Sequence, residues 1–343
     1  MLGPTMMKKM GELALIERIR SGGVGGGRGM GHMVLGIGDD CAILRPPKGH
    51  EILVTTDFTL EGRHFRRDWH PAESVGHRAL ARGLSDLAAM GGRPLAAFLS
   101  LALPGEMLAT REGRRWVDRF FAGLRGLAEQ YGVPLAGGDT AESPGGLVLA
   151  DIVLVGSAPA GRALRRSGAK SGDALYVSGE LGGAAAELAA LGQPGKQKVT
   201  RRGGPGAHPQ MFPQPRVAVG LALLRRHLAT ASIDLSDGLS TDLAHLCRES
   251  GVGAEVQASG LPIHPLAVEC GADRAIEFAL HGGEDYELLF AAPPRVRMPR
   301  SIAGVRINRI GSLTRETGIS IADSAGRHRP LTPGGWEHFA GKH

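Results

Sequence analysis

Six aspartates recur at the ends of apolar segments, most of them beside glycine or a hydroxyl residue: Asp39, Asp57, Asp86, Asp139, Asp234 and Asp237. Each alone has an ordinary explanation. Asp237 ahead of a helix reads as an N-cap, and Asp139 in a Gly-Gly turn can bond its own backbone. Asp86 sits about 100° around its helix from Leu87, as a solvated surface acid would. Taken together they ask for more, because carboxylates at the tips of adjacent strands converge on one edge of a sheet, where their repulsion needs a cation. Hard oxygen donors suit magnesium, which keeps several waters and is usually held by carboxylates together with substrate phosphates. Adjacent glycine N–H groups can approach phosphate oxygens closely, so a nucleotide phosphate is the natural ligand. The familiar routes to that chemistry are absent: there is no P-loop, no dinucleotide-binding glycine fingerprint after a strand and no protein-kinase catalytic loop. The nucleophile elbow of acyl-transfer enzymes is absent too.

The elements that must position these carboxylates can be read from periodicity and punctuation. Residues 12–20 read as a helix, followed by a glycine-rich segment, 22–31, expected to be a mobile loop. Strands at 34–37 and 51–56 run into Asp39-Asp40 and Asp57. Pro71 opens a helix with Leu80, Leu84, Leu87 and Ala88 on its apolar stripe, and Gly91-Gly92 closes it. A buried strand at 94–103 precedes a helix in which Trp116, Phe120, Leu124, Leu127 and Tyr131 recur at spacings of three and four, capped by Gly132. A short strand, a turn at 137–140 and a long apolar strand at 147–155 follow. The basic stretch 161–168 marks a domain boundary, which divides the chain into residues 1–158 and 159–343. The second half opens with a strand at 174–178 and an alanine-rich helix from about Gly182. Residues 192–215 are expected to be an exposed loop. After a further helix, residues 232–238 form a strand-to-helix turn leading into a helix that buries Leu239, Leu243 and Leu246 and ends at Gly251. Later strands fall at 287–291, 305–310 and 319–322, and the whole reads as an α/β protein.

Composition narrows the function classes. A chain of 343 residues exceeds the roughly 100–200 of one domain, which supports two. No uncharged apolar run approaches the roughly 20 residues of a membrane span. Residues 1–20 carry charges where a signal peptide has its apolar core, so a cytoplasmic location is expected. Cys41, Cys247 and Cys270 are odd in number and far apart, which argues against a disulfide framework and against zinc. A net charge of +6 permits nucleic-acid binding, yet the basic residues are scattered and not interleaved with aromatics. No nucleic-acid partner is expected; a small anionic substrate explains the sign equally well.

Six segments in order are similar to a known family: Gly-Ile-Gly-Asp-Asp-Cys-Ala at 36–42, Thr-Thr-Asp at 55–57, Leu-Ser-Asp-Leu-Ala-Ala-Met-Gly at 84–91, Gly-Gly-Asp-Thr at 137–140, Ile-Asp-Leu-Ser-Asp-Gly-Leu at 233–239 and Gly-Gly-Glu-Asp-Tyr-Glu-Leu at 282–288. Any one is weak, but the ordered set closely resembles the thiamine-monophosphate kinases, and the resemblance runs from Gly11 to Phe339. It implies an α/β (α+β) chain with the two-domain fold of aminoimidazole-ribonucleotide synthetase: an N-terminal mixed sheet with helices that dimerises, a C-terminal α/β domain, and ATP in the cleft between. By motif position it further implies that Asp39, Thr55, Thr56, Asp57, Asp86, Asp139, Asp234 and Asp237 are magnesium ligands, with Asp57, Asp86 and Asp237 central to catalysis. Gly138, Arg166 and Ser236 match the ATP contacts, and His64, Glu284 and Trp336 match the contacts to thiamine monophosphate. Outside the resemblance, His64 reads as a surface histidine and Trp336 as a hydrophobic anchor for the C-terminal tail.

Other members of the superfamily fit less well. Selenophosphate synthetase would place a cysteine or selenocysteine in the glycine-rich segment 22–31, and none is there. Aminoimidazole-ribonucleotide synthetase fits the metal set but not the stretch 282–288. The remaining class, a non-catalytic nucleotide- or RNA-binding protein, would have no use for a full set of magnesium carboxylates.

Overall fold

The computed structural model describes residues 10–22, 32–193, 207–323 and 325–336. The chain divides into two units, Met1–Leu84 with Pro94–Pro159, and Ser85–Arg93 with Ala160–His343. A cut at one point of the chain would therefore misplace Ser85–Arg93. Among the described residues no helix is long and apolar enough to cross a membrane.

The first unit contains α1 (Glu12–Ser21), β1 (Met33–Leu35), β2 (Ile43–Leu44), β3 (His50–Leu60), most of α2 (Ala72–Ala89), β4 (Arg93–Leu103), α3 (Arg111–Tyr131), β5 (Leu135–Glu142) and β6 (Leu149–Pro159). β3, β6, β4 and β5 form a four-stranded sheet in that order. β3 runs antiparallel to β6 from His50 opposite Pro159 to Leu60 opposite Leu149, whereas β4 and β5 are parallel. The nearly continuous apolar run of β4 fits an inner strand buried on both faces, and the alternation of β3 fits an edge strand. α3 buries Phe120, Leu124 and Leu127 of the expected stripe, together with Val117 and Phe121, while Trp116 and Tyr131 at its edge stay half-buried. The Thr110 hydroxyl accepts the Gly113 N–H at its start, and Gly132 closes it in the left-handed region.

Three expectations for this unit change. Residues 137–140 are not a turn but part of β5, because parallel pairing with β4 outweighs the local Gly-Gly signal. The strand expected to end at 56 continues to Leu60, so Asp57 lies inside β3 opposite Ile152 and not at its tip. β1 ends at Leu35, and Ile37 falls in a bend. The loop expected at 22–31 lies, from residue 23 on, outside the described residues.

The second unit contains β7 (Ala174–Ser178), α4 (Gly183–Leu191), α5 (Val217–Arg225), β8 (Ala231–Asp234), α6 (Leu239–Ser250), β9 (Gly253–Gln257), α7 (Pro265–Val268), α8 (Ala272–His281), β10 (Leu288–Ala292), β11 (Ser301–Ile302), β12 (Val305–Thr314), β13 (Ile319–Ala322) and β14 (His328–Pro330). The sheet runs β14-β13-β9-β12-β7-β10-β8, with β11 against β12; β13 and β9 are parallel, and the other neighbouring strands are antiparallel. Leu175, Val177, Ile233, Leu289, Leu243 and Leu246 share its main core. Sequence reading passed over β9 and α8. Of the loop expected at 192–215, residues 194–206 lie outside the described residues. Gly192 and Gln193 are exposed as expected, but residues 207–215 are not: Gln210 and Met211 are buried, and Glu187 of α4 accepts the Gln210 N–H at 2.8 Å. Ser85–Arg93 joins this unit through the Leu164 N–H, which donates to the Met90 carbonyl, and the Ser85 hydroxyl, which donates to Asp234.

Candidate active site

In the first unit, Asp39 and Asp139 line one cavity of about 850 Å³ together with Gly137 and Gly138. Its remaining wall is largely apolar, with Ile16 and Ile19 from α1, Phe98 and Leu101 from β4, and Phe121 from α3. Each of the two carboxylates accepts the next residue's N–H at 2.9 Å, Asp40 for Asp39 and Thr140 for Asp139, which orients it while leaving lone pairs for a cation. A flat ring fits the apolar wall, and a cation with phosphate oxygens fits the acidic end. Gly138 is required by the fold here. Its φ is +147°, and a Cβ on it would lie 1.9 Å from the Leu99 carbonyl oxygen, next to a register shift between β4 and β5.

Asp57 does not line that cavity. It shares a face of β3 with Thr55, and Arg82 of α2 lies 3.6 Å from its Oδ1. Thr56 faces the other way, where its hydroxyl donates to Asp151 at 2.8 Å, so its side chain is not brought to Asp57. His64 follows β3 in a tight turn. Its Nδ1 accepts the Leu60 N–H at 3.0 Å, which puts the proton of the neutral ring on Nε2.

In the second unit Ser236, Asp237, Glu284 and Trp336 are linked by main-chain hydrogen bonds, while the Arg166 carbonyl accepts the Ser250 hydroxyl at 2.8 Å. The Glu284 N–H donates to the Ser236 carbonyl at 2.8 Å, and the Trp336 N–H donates to the Asp237 carbonyl at 3.1 Å. Trp336 keeps 49% of its surface exposed. Asp234 is buried at the end of β8 and accepts the Ser85 hydroxyl at 2.7 Å. Asp86, the next residue, is half-buried and not the solvated acid that its helical position allowed.

Three contributors had not been singled out in the sequence. Ser85 lay inside a quoted segment, directly beside Asp86. Asp242 is in the first turn of α6, where a carboxylate passes for a helix-end charge; its Oδ2 accepts the Asp237 N–H at 3.1 Å. Burial, and then the charges of Asp234 and Asp237, push its carboxyl up to about 8, while Arg166 pulls the other way. Gln210 had no local signal at all; its Nε2 donates to Glu284 at 2.6 Å.

Among the described residues no three His, Cys, Asp or Glu side chains close into a metal cage. The donor chemistry nevertheless fits magnesium, which takes few protein ligands and completes its shell with water and phosphate. Burial raises Asp242 most, and the part that the charges of Asp234 and Asp237 add is what a bound cation would offset.

Residues 38–158 match the N-terminal domain, and residues 170–322 the C-terminal domain, of AIR synthase related proteins. The chain is 39% identical over 317 residues to a thiamine-monophosphate kinase of Salmonella typhimurium, covering 89% of this chain and 92% of that one. A crystal structure of thiamine-monophosphate kinase from Stenotrophomonas maltophilia superposes with a TM-score of 0.77 at 36% identity, covering 91% of this chain and 96% of that one. A structure described as AaThiL complexed with AMPPCP and TMP superposes with a TM-score of 0.71 at 29% identity, covering 98% and 100%. With two domain matches and identity sustained over most of its length, the chain belongs to the thiamine-monophosphate kinases, a family of phosphotransferases.

Proposed function

We propose that this protein transfers the γ-phosphoryl group of ATP to thiamine monophosphate, giving thiamine diphosphate and ADP, in one magnesium-dependent in-line step. The observation that carries this reading is the linked set Ser236, Asp237, Glu284 and Trp336, in which candidate acceptor contacts are bonded directly to the carriers of candidate nucleotide and metal contacts. A relative solved with AMPPCP and TMP supports the same pair of substrates.

The acceptor is a phosphate monoester whose second pKa lies near 6, so its oxygen is ionised at neutral pH and needs no general base. That oxygen bonds to the γ-phosphorus as the bond to the β,γ-bridging oxygen breaks, and ADP leaves with the electron pair. What opposes reaction is the repulsion between two anions. Asp39, Thr55, Asp57, Asp86, Asp139, Asp234 and Asp237 are the groups that would hold magnesium, with Thr56 able to serve only through its main chain. Bound magnesium supplies the positive charge that neutralises both phosphates. Gly138 allows a close backbone approach to the nucleotide, and Arg166 and Ser236 add a charge and a hydroxyl to phosphate binding. Trp336 offers an indole face to the thiazolium cation, with Glu284 as complementary charge. His64, with Nδ1 engaged and its proton on Nε2, suits donation to an acceptor oxygen and not nucleophilic attack, which supports transfer without a phosphoenzyme.

The uncovered face of β3 displays Ile52, Val54 and Phe58, which are 44%, 65% and 61% exposed, and this apolar stripe supports a homodimer formed through the sheet. ATP as co-substrate supports a cytoplasmic location. The test is purified protein with thiamine monophosphate, ATP and magnesium, products separated by chromatography, and ATP made chiral at the γ-phosphorus. Thiamine diphosphate with inverted configuration is expected. Use of free thiamine at an equal rate would overturn the acceptor assignment, and retained configuration would overturn direct transfer.

A further inference from the structure

Gln210 is 2% exposed and is fixed from both ends. Its main-chain N–H donates to Glu187 Oε2 at 2.8 Å, and Glu187 Oε1 lies 2.7 Å from His208 Nδ1, which must donate because a carboxylate only accepts. Its side-chain Nε2 donates to Glu284 Oε2 at 2.6 Å. That contact settles which way the amide points, since an amide oxygen turned toward the carboxylate would set acceptor against acceptor. The amide oxygen Oε1 is left buried with no hydrogen-bond partner among the described residues. Such an atom is a cost to folding, and a nonpolar side chain of the same shape would avoid it. The side-chain bond that Gln210 gains in exchange goes to a partly exposed carboxylate whose backbone is at φ +66°, a conformation unusual for a residue other than glycine. A polar group that is poor for the fold and bonded to a ligand-facing carboxylate belongs to binding and not to packing.

We propose that Gln210 is a positioning residue for thiamine-phosphate binding, holding the Glu284 carboxylate correctly aimed. The proposal rests on the reading of Glu284 as an acceptor contact. Gln210 carries no charge, so it orients Glu284 without neutralising it, and the carboxylate keeps its full attraction for a cationic ring. A lysine or arginine there would compete with the substrate for the same charge.

The test compares Gln210→Met, Glu284→Gln and the double variant in steady-state kinetics and thermal melting of the full chain. Gln210→Met fills the same space and removes both the Nε2 donor and the unpartnered Oε1. It is expected to raise KM for thiamine monophosphate about tenfold, the size of one hydrogen bond to a charged group. KM for ATP and kcat should stay within about twofold, and the melting temperature should hold or rise. In the Glu284→Gln background, Gln210→Met should add little. A lowered melting temperature with parallel losses for both substrates would make Gln210 a structural peg and overturn the proposal. If Glu284→Gln raises KM for thiamine monophosphate and Gln210→Met does not, the role of Gln210 falls while the acceptor reading stands. If neither variant changes that KM, the acceptor does not use Glu284 and both fall.

Discussion

Replacing Gly138 by alanine tests the geometry of the cavity lined by Asp39 and Asp139 in one step. A Cβ there would lie 1.9 Å from the Leu99 carbonyl oxygen, so β4 and β5 must separate by more than an ångström to reach the 3.0 Å that real Cβ contacts respect. The φ of +147° is also one that alanine resists. Strained backbone of this kind costs about 1–3 kcal/mol, and a forced backbone shift in a packed sheet about 1–3 more. At about 2–4 °C per kcal/mol for a unit of this size, Gly138→Ala should melt roughly 5–20 °C below the parent protein. It should also raise KM for ATP, because the Asp139 carboxylate moves with its neighbour. Gly126→Ala is the control: Gly126 is exposed on α3 with nothing within 4 Å of its would-be Cβ, and alanine there gains up to about 1 kcal/mol of helix propensity. Scanning calorimetry of both variants decides the matter. A Gly138→Ala protein that melts within about 2 °C of the parent would refute the close approach of β5 to β4, and with it the position of Asp139 in the cavity wall.

Asp57→Asn, Asp86→Asn and Asp237→Asn should each cut turnover by at least about a hundredfold while folding survives, and near-normal turnover of all three at limiting magnesium would mean that none of them holds the metal. Trp336→Ala should raise KM for thiamine monophosphate far more than KM for ATP, since a cation over an indole face gains about 0.5–2 kcal/mol; equal effects would mean tail anchoring. Asp285 accepts the Gly182 N–H at 2.7 Å and the Ala184 N–H at 3.3 Å, and burial above all pushes its carboxyl up to about 7. Its unfolded form ionises near 3.8, so between those values the folded state holds the extra proton and stability falls as pH rises. Urea titrations from pH 4 to pH 7 should show that fall reduced in Asp285→Asn; an unchanged slope would assign it to other groups.

Much of the framework was legible because its causes are local. The spacing of Trp116, Phe120, Leu124 and Leu127 with Gly132 after it specifies α3, and β7 and β13 fall where short apolar runs end in turn residues. The order of the acidic glycine-rich segments is likewise a property of the chain alone, and it was enough to point to the family. Where local and long-range preferences conflict, only the tertiary structure decides. Gly137-Gly138-Asp139-Thr140 favours a turn by composition, yet pairing with residues 98–101 of β4 makes it strand, because a ladder of hydrogen bonds outweighs a weak local bias. Partners far apart in sequence were beyond any spacing rule: Ser85 with Asp234 across 149 residues, and Gln210 with Glu284 across 74. Asp242 was hidden for a further reason. A carboxylate in the first turn of a helix is ordinary by itself, and only burial beside Asp234 and Asp237 turns it into part of a charged cluster, since desolvation and Coulomb repulsion depend on what folding brings near and not on what lies next in the chain.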